Sequence, residues 1–418
     1  MIDKDSLRQI VTQQKKSISQ EEKTVPRELL GEILKWFNDN RIIILTGIRR
    51  SGKSTLLRQI MRKKAGCCYV NFEDERFISF KPQDFEQLNE VLVEAYNNPE
   101  TYFFDEIQNI EKFETFVRRL QDQGKKIILT GSNATLLSKE LGTRLTGRYK
   151  AFEVYPFSFS EFLSFKGIIP EKEWFYITEK KVELIKLFSE YLATGGFPEY
   201  LKNKDPEYIR TIYENILYRD IIARYAIKKQ KLIKELVRIL TTNISAPFTY
   251  NALKKSLGLS NSITVKEYIS YLNNSYLFFE IQKFDFSIKK QLSSPKKIYI
   301  IDSAFNSLGN MNFSANKGRI LENVIYIELK RRNLENYYYS SKNECDFIIK
   351  KGAKITHAIQ ACHTLSESNK EREISGLLEA MSEFKLKEGL ILTQEQEEGL
   401  RIKGKKIKVM PAWKWLLE

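Results

Sequence analysis

The chain has 418 residues, 42% of them hydrophobic and 12% aromatic, which is enough for more than one core, so two or three domains are expected. It carries 68 basic and 53 acidic side chains, a net charge of +15. The sequence contains no run of 18 apolar residues, and its first residues lack the apolar centre of a signal peptide, so a cytoplasmic protein with no membrane association is predicted. Four cysteines without zinc-ligand spacing and only two histidines argue against a metal centre built on these residues.

The first region, residues 1–155, alternates apolar strands with amphipathic helices. Strands are predicted at 42–46, 68–73, 101–105, 126–131 and 151–155, and helices at 26–38, 54–64, 84–97 and 113–122. This alternation predicts an α/β P-loop NTPase fold, with a parallel sheet and helices on both faces. Three further regions are predicted: a helical lid or linker at 156–230, a winged helix-turn-helix at 231–310 and a nuclease-like domain at 311–418.

The loop after the first strand carries a phosphate-binding signature. Gly47, Gly52, Lys53 and Ser54 match G-x-x-x-x-G-K-[ST] between a strand and a helix. Such a loop directs backbone N–H groups and a helix N-terminus at an anion. We expect Lys53 to bridge the β- and γ-phosphates of ATP and Ser54 to bind Mg²⁺. The predicted nucleotide contacts are Gly47, Ile48, Arg49, Arg50, Ser51, Gly52, Lys53, Ser54 and Thr55.

Two adjacent carboxylates end the third predicted strand, about fifty residues after the phosphate loop. Asp105 is expected to orient the Mg²⁺ shell. Glu106 is expected to polarise the water that attacks the γ-phosphate. A solvated surface pair is the alternative for these two acids.

The next strand and the segment beyond it supply further candidates for the same site. Ser132 or Asn133 is predicted to contact the γ-phosphate or the attacking water, the alternative being an ordinary helix-capping turn. Arg144 and Arg148 are candidates for a finger that neutralises developing charge in the same or a neighbouring subunit. A solvated arginine or a salt bridge is the alternative for either.

Six segments occur in an order that resembles a known family. They read GIRRSGKSTLL, YFFDEIQNI, LTGSNATLL, LTGRYKAFEVYPFSFSEF, ATGGFPEY and YRDIIARY. The set is similar to archaeal and bacterial predicted ATPases that pair an AAA-type core with a domain of unknown function called DUF4143. The resemblance covers nearly the whole chain and implies an ATPase of the additional-strand class, with Lys53, Ser54, Asp105 and Glu106 in the roles above. It also implies an oligomeric DNA motor, such as a hexamer, with four-way junctions among its substrates.

The segment 228–300 concentrates the positive charge, with 13 basic against 4 acidic side chains. A basic region confined to one part of a chain is typical of nucleic-acid binding, although a solvated lysine-rich surface gives the same count. The helix spacing predicts a winged helix-turn-helix with a recognition helix from about Ser262 and a wing at 280–300; such modules also bind proteins. The predicted groove contacts are Asn261, Ser262, Thr264 and Lys266, and the predicted phosphate contacts are Lys254, Lys255, Lys289, Lys290, Lys296 and Lys297.

The last hundred residues resemble the restriction-endonuclease-like fold. Glu322 on a helix and Asp346 on a strand occupy the places of two catalytic acids. The third element is expected to read (D/E)-x-K, but Gln360 stands in place of the acid and Cys362 in place of the lysine. Mg²⁺ would therefore lose a charged ligand, and the attacking hydroxide would lose its stabilising cation. Lys350 or Lys354 could replace the missing lysine only if the catalytic lysine had moved to another position in the sequence. The sequence therefore predicts a degenerate nuclease-like domain used for DNA docking or subunit packing.

Together these features predict an ATP- and Mg²⁺-dependent hydrolase that binds DNA. The main hypothesis is a homo-oligomeric motor that moves or remodels duplex or branched DNA. A nucleotide-gated signalling switch that binds a protein partner and a metal-dependent nuclease are the alternatives.

Overall fold

The computed structural model describes residues 2–20, 24–133, 147–309 and 316–418. The chain forms two compact units, Met1–Tyr155 and Pro156–Glu418. The finer division of the second unit into a linker, a winged helix and a nuclease-like domain remains a prediction. Among the described residues, no helix is both long enough and apolar enough to cross a lipid bilayer.

A five-stranded parallel sheet forms the centre of the first unit. Its strands are β1 (Ile42–Thr46), β2 (Cys67–Asn71), β3 (Thr101–Asp105), β4 (Lys126–Gly131) and β5 (Tyr149–Glu153). Their spatial order is β2-β3-β4-β1-β5, and every neighbouring pair is parallel. Strand β4 thus lies between β1 and β3.

Successive residues of these strands enter two different hydrophobic clusters, because side chains alternate across a sheet. Ile44 and Phe104 pack on one face, whereas Ile43 and Phe103 pack on the other. Both faces are therefore covered, which explains why the strands are apolar runs and do not alternate with polar residues.

In the part of this unit that the structure describes, five helices cover the two faces of the sheet. They are α1 (Lys4–Ile18), α2 (Leu29–Lys35), α3 (Lys53–Met61), α4 (Phe85–Tyr96) and α5 (Phe113–Asp122). Leu7 of α1 and Leu88 of α4 pack on the face of Phe104, and Leu57 of α3 packs on the face of Phe103. The apolar spacing predicted α2 to α5, whereas α1 was not predicted.

The second unit begins with helices and then forms a hairpin. The helices are α6 (Phe159–Phe165), α7 (Thr178–Thr194), α8 (Pro198–Asn203), α9 (Pro206–Asn215), α10 (Gln230–Thr242), α11 (Tyr250–Ser256) and α12 (Ile263–Asn274). Antiparallel strands β6 (Phe278–Gln282) and β7 (Lys296–Ile300) follow, with the short helix α13 (Ile288–Ser293) between them. This is the element order expected of three helices and a wing, but the winged-helix assignment itself stays a prediction.

A six-stranded mixed sheet ends the chain. Its elements in chain order are α14 (Lys317–Arg331), β8 (Glu335–Ser340), β9 (Glu344–Lys351), β10 (Lys354–Ala361), α15 (Glu367–Glu383), β11 (Glu388–Thr393), β12 (Glu398–Ile402), β13 (Lys405–Pro411) and α16 (Ala412–Leu417). The strand order is β12-β13-β11-β10-β9-β8, and the pairs β10–β11 and β11–β13 are parallel. Leu377 and Met381 of α15 pack against Ile348 and Ile391 of the sheet.

The buried carboxylate of Asp302 joins two segments of the second unit that are far apart in sequence. It accepts hydrogen bonds from the backbone N–H groups of Gly196, at 2.8 Å, and Ala304, at 2.9 Å. Burial raises the pKa of Asp302 to about 6, although these two hydrogen bonds favour the charged form.

Candidate functional site

The phosphate loop connects the end of β1 to the start of α3 with a backbone that only particular residues allow. A side chain at Gly47 would meet the carbonyl oxygen of Val154 at 2.1 Å, so this strand end accepts only glycine. Gly52 has φ +94° and Arg50 has φ +65°, both in the left-handed region. Alternation of this kind turns successive N–H groups toward one side of the loop, which creates an anion-binding concavity.

Lys53, the first residue of α3, extends its side chain across this loop. Its ammonium donates to the carbonyl oxygens of Gly47, at 3.0 Å, and Ile48, at 3.1 Å, and lies 3.6 Å from an oxygen of Glu106. The side chain is 5% exposed. The predicted phosphate-binding lysine and the predicted catalytic base therefore contact each other.

Asp105 ends β3 and is almost fully buried. One carboxylate oxygen accepts from the hydroxyl of Tyr69 at 3.1 Å, and the other accepts from the hydroxyl of Thr130. Burial raises the pKa of Asp105 and the charge of Glu106 adds to this, whereas the hydroxyls of Thr130 and Ser54 act in the opposite direction. The hydroxyl of Ser54 therefore lies near Asp105, and these are the two oxygen-bearing side chains predicted to hold Mg²⁺, an ion that prefers hard oxygen ligands.

Glu106 follows in a left-handed conformation, with φ +51°. Its carboxylate faces Lys53 and accepts a hydrogen bond from the side-chain amide of Gln108. Burial is the largest single influence and raises the pKa of Glu106, but the charge of Lys53, the hydrogen bond from Gln108 and the charge of Arg49 together outweigh it, and the pKa lies below its usual value. The residue is therefore ionised at neutral pH, as a proton acceptor must be.

Thr130, near the end of β4, connects the two acids. Its hydroxyl donates to Asp105 and accepts from the backbone N–H of Glu106, at 2.9 Å. Sequence reasoning assigned no role to Thr130, Tyr69 or Gln108. For Thr130, the sequence signal is its place at the end of a predicted strand. Parallel strands end at the same edge of a sheet, and β4 adjoins β3, so Thr130 lies beside Asp105.

Ser132 and Asn133 follow β4, and both side chains are buried. The hydroxyl of Ser132 lies near enough to Glu106 to lower the pKa of that carboxyl slightly. These residues are thus at the same sheet edge as Asp105, as the sequence predicted. Their contact with a γ-phosphate stays a prediction.

The two arginine candidates have different outcomes. Arg144 lies outside the described residues. Arg148 precedes β5, where its carbonyl accepts from the N–H of Ile42 at the start of β1, and its guanidinium pairs with Asp122 at 2.6 Å. Since β1 and β5 are parallel, Arg148 is at the sheet edge opposite the phosphate loop, and a finger role within its own subunit was wrong. A role in a neighbouring subunit remains a prediction.

The predicted DNA-binding side chains of the second unit divide by exposure. Asn261, Lys255, Lys266, Lys289 and Lys290 are exposed, and Lys254, Ser262 and Thr264 are partly exposed. Lys296 and Lys297 are buried on β7, at 4% and 1% exposure, so their assignment as phosphate contacts was wrong. Lys296 instead donates to the carbonyl oxygens of Leu292 and Ser294.

Lys297 lies among the acids of the predicted degenerate nuclease site. Its ammonium is 3.0 Å from Glu322, 3.0 Å from Asp346 and 2.8 Å from Glu344. Although burial opposes the charged form, these carboxylates raise the pKa of Lys297 well above its usual value. The strand β7 therefore places a lysine among these acids, whereas the position at which the sequence predicted a lysine holds Cys362.

The remaining residues proposed for that site have other roles. Gln360 accepts from the N–H of Asp346 at 3.3 Å and donates to Glu373 at 2.7 Å. Cys362 is buried, and Lys350 pairs with Glu335 at 2.8 Å. Lys297 and its three acids line a cleft of about 810 Å³. Within the described part of the chain, no group of three or more His, Cys, Asp or Glu side chains is arranged to hold a metal ion directly.

Two regions of the chain match known protein families. Residues 39–163 match a family described as an AAA domain, and residues 185–311 match a domain of unknown function, DUF8612. The AAA-type core predicted from the sequence is thereby confirmed. The DUF4143 resemblance stays a prediction, because the match in the second unit is to DUF8612.

Two relatives match along nearly their whole length. The uncharacterized protein MJ1544 of Methanocaldococcus jannaschii is 37% identical, with 100% of this chain and 96% of the relative covered. An uncharacterized protein of Haemophilus influenzae is 29% identical, with 93% and 97% covered.

Similarity to solved structures is more distant. Domain III of the Thermotoga maritima replication initiation protein DnaA is 17% identical, with 36% of this chain and 75% of that chain covered and a TM-score of 0.26. The S. cerevisiae Hsp104:casein complex is 14% identical, with 69% and 61% covered and a TM-score of 0.32. Neither likeness is close enough to carry a functional argument.

Proposed function

We propose that this chain, which belongs to the same family as the uncharacterized protein MJ1544 of Methanocaldococcus jannaschii, binds and hydrolyses ATP at the ends of β1, β3 and β4. One observation carries the proposal. The ammonium of Lys53, which begins the helix after the phosphate loop, lies 3.6 Å from the carboxylate of Glu106, the residue that follows Asp105 at the end of β3. This arrangement supports a site in which Ser54 and Asp105 would hold Mg²⁺, Glu106 would act as the base and Lys53 would bind the phosphates.

The chemistry follows from these positions. Lys53 would exchange Glu106 for the β- and γ-phosphates of ATP, which leaves the Glu106 carboxylate free to accept the proton of a water molecule. The water oxygen attacks the γ-phosphorus while the bond to the ADP oxygen breaks, and Glu106 takes the proton. Bound Mg²⁺ would neutralise charge on the phosphate oxygens.

We further propose that hydrolysis by a homo-oligomer drives the movement or remodelling of duplex or branched DNA. Support comes from the exposed cations Lys255, Lys266, Lys289 and Lys290 within a segment of high positive charge. A protein that neutralises DNA phosphates with several such side chains binds in a strongly salt-dependent way.

ATP turnover measured with no DNA, single strands, duplex and a four-way junction tests both parts, alongside the mass of the particle with and without ATP. A motor is stimulated severalfold by at least one DNA. A signalling switch turns over slowly and is indifferent to every DNA. Lys53→Ala should bind no ATP, so turnover that survives in this variant would exclude the proposed site.

A metal-dependent nuclease in the second unit is a second candidate. The sequence raised two objections to it, a missing lysine and a missing acid, and Lys297 could take the place of the missing lysine. The other objection remains, since Gln360 stands where an acid is expected. The ammonium would stabilise an attacking hydroxide, while Glu322 and Asp346 would provide oxygen ligands for a divalent cation.

Plasmid and branched DNA incubated with Mg²⁺ or Mn²⁺ test this candidate. Cleavage that is lost in Lys297→Met and Asp346→Asn, but kept in Lys350→Met, would establish it. Lys350 is a suitable control because the sequence analysis named it as an alternative position for the catalytic lysine. Intact DNA with the wild-type chain would exclude a nuclease.

A further inference from the structure

We infer that Arg27 is a positioning residue of the phosphate loop, which holds the peptide between Ser51 and Gly52 in its anion-binding orientation. The inference rests on the proposed function and adds to it a residue outside the loop motif. Arg27 precedes α2 in the sequence and is 5% exposed.

The guanidinium of Arg27 donates two hydrogen bonds to backbone carbonyl groups. One goes to Ser51 at 2.7 Å, and the other goes to Tyr155, two residues past the end of β5, at 2.6 Å. The planar fork of arginine can hold two acceptors in fixed directions, which a lysine cannot do. The loop is thereby tied to the chain segment after the neighbouring strand.

The bond to Ser51 fixes the direction of the next N–H group. A trans peptide is planar, so its N–H and C=O point in opposite directions. Because the carbonyl of Ser51 points at Arg27, the N–H of Gly52 points away from it. In a phosphate-binding loop that direction leads to the anion.

The conformation of Gly52 is consistent with a close approach of the arginine. Its φ of +94° is left-handed, and a Cβ at this position would lie 2.9 Å from the Arg27 guanidinium. Arg27 thus occupies the space that a side chain would take. The glycine of the motif is required here by a neighbour as well as by its own backbone angle.

Arg27 is itself held in place by α3, the helix that the loop begins. Gln59 accepts from the N–H of Arg27 at 3.2 Å and donates to the carbonyl of Val25 at 2.7 Å and to the hydroxyl of Thr24 at 3.1 Å. The segment from Thr24 to Arg27 is therefore held against α3 by Gln59. It also adds a fixed positive charge behind the loop.

Steady-state ATP turnover of Arg27→Met and Arg27→Lys tests the inference, with the exposed Arg62→Met as a control. We expect Arg27→Met to raise KM for ATP about tenfold or more and to change kcat by less than about threefold, because the misplaced N–H contacts the bound phosphate before and during the reaction alike. Arg27→Lys keeps the charge and most of the volume, so it should fold and should show an intermediate KM. Arg62→Met should be unchanged.

Thermal unfolding with and without ATP separates positioning from simple stability. A lower melting temperature with an unchanged KM in both Arg27 variants would overturn the inference and leave the proposed function intact. A wild-type chain that neither binds nor hydrolyses ATP would overturn both.

Discussion

The ammonium of Lys53 lies 3.6 Å from the carboxylate of Glu106, so the two residues expected on either side of the γ-phosphate contact each other. Burial raises the pKa of Glu106 most strongly, but the charge of Lys53 together with Gln108 and Arg49 brings the pKa below its usual value and keeps Glu106 ionised. Under the proposed function, ATP would compete with Glu106 for Lys53, and the same exchange would release the base for catalysis. Binding and activation are thus coupled through one ion pair.

The first prediction concerns this base. Glu106→Gln keeps the shape of the side chain but cannot accept the water proton, so turnover should fall at least about a hundredfold while ATP binding survives. Phosphate release and retention of labelled ATP measure the two quantities. The exposed Glu111→Gln is the matched control and should behave as wild type. Ordinary turnover in Glu106→Gln would refute the assignment.

The second prediction concerns Thr130. Thr130→Val removes the hydroxyl while preserving volume, so Asp105 loses a donor and the N–H of Glu106 loses its acceptor. An unsatisfied buried N–H costs about 1–3 kcal/mol of stability, and we expect turnover to fall about tenfold because both acids shift. Denaturant unfolding and phosphate release check this. Thr211→Val, on an exposed helix face, should change neither, and an unaltered Thr130→Val would contradict the bridging role.

The third prediction concerns Lys297. Lys297→Met leaves the carboxylates of Glu322, Glu344 and Asp346 close together without their shared cation, which should destabilise the folded state by roughly 3–5 kcal/mol. Urea unfolding measures the loss. The exposed Lys289→Met should stay within about 0.5 kcal/mol of wild type. Equal stability of the two variants would show that the cluster tolerates the missing charge.

The fourth prediction concerns DNA affinity. Alanine at Lys289 and Lys290 should weaken DNA binding and reduce the slope of log K against log salt by about one for each lost phosphate contact. Fluorescence anisotropy across a salt series measures both effects. Lys350→Ala should leave the slope unchanged. Full affinity in the double variant would place the DNA-binding surface elsewhere.

The fifth prediction concerns pH. The pKa of Asp302 is raised from 3.8 to about 6, so the folded state favours the protonated carboxyl. Its contribution to the free energy of unfolding is full below about pH 4 and is lost as the pH rises through 6, up to about 3 kcal/mol. Asp302→Asn should remove this part of the pH dependence whatever its effect on absolute stability. Unfolding titrations from pH 4 to 7 test it, with Asp285→Asn as a control that should keep the wild-type slope.

Much of the first unit could be predicted from the sequence, because its signals are local. The strand at 42–46, the phosphate loop and the acids at 105 and 106 each depend on a few consecutive residues, and the sheet edge that unites them follows from parallel pairing. Thr130 was out of reach because its role depends on which strand adjoins β3. Arg148 was misplaced because it was assigned by its closeness in sequence to the site, although a residue just before the strand predicted at 151–155 lies at the opposite edge of a parallel sheet.

The second unit was harder to predict because its chemistry depends on residues that are distant in sequence. Lysines in a basic segment are ordinarily exposed to solvent, and Lys289 and Lys290 are exposed in the structure. Lys297 is the exception, since acids from α14 and β9 make its burial tolerable. No pattern around residue 297 itself reveals those acids. The winged-helix and nuclease-like assignments remain predictions for the same reason.

The position of Lys297 also has a mechanical consequence. One nitrogen atom fastens the hairpin strand β7 to α14 and β9, and the hairpin is attached again where the N–H of Phe284 donates to the carbonyl of Tyr338 on β8, at 2.8 Å. The tip that carries Lys289 and Lys290 is therefore the end of a doubly anchored lever. A force applied at that tip would therefore be transmitted through these contacts to the terminal sheet.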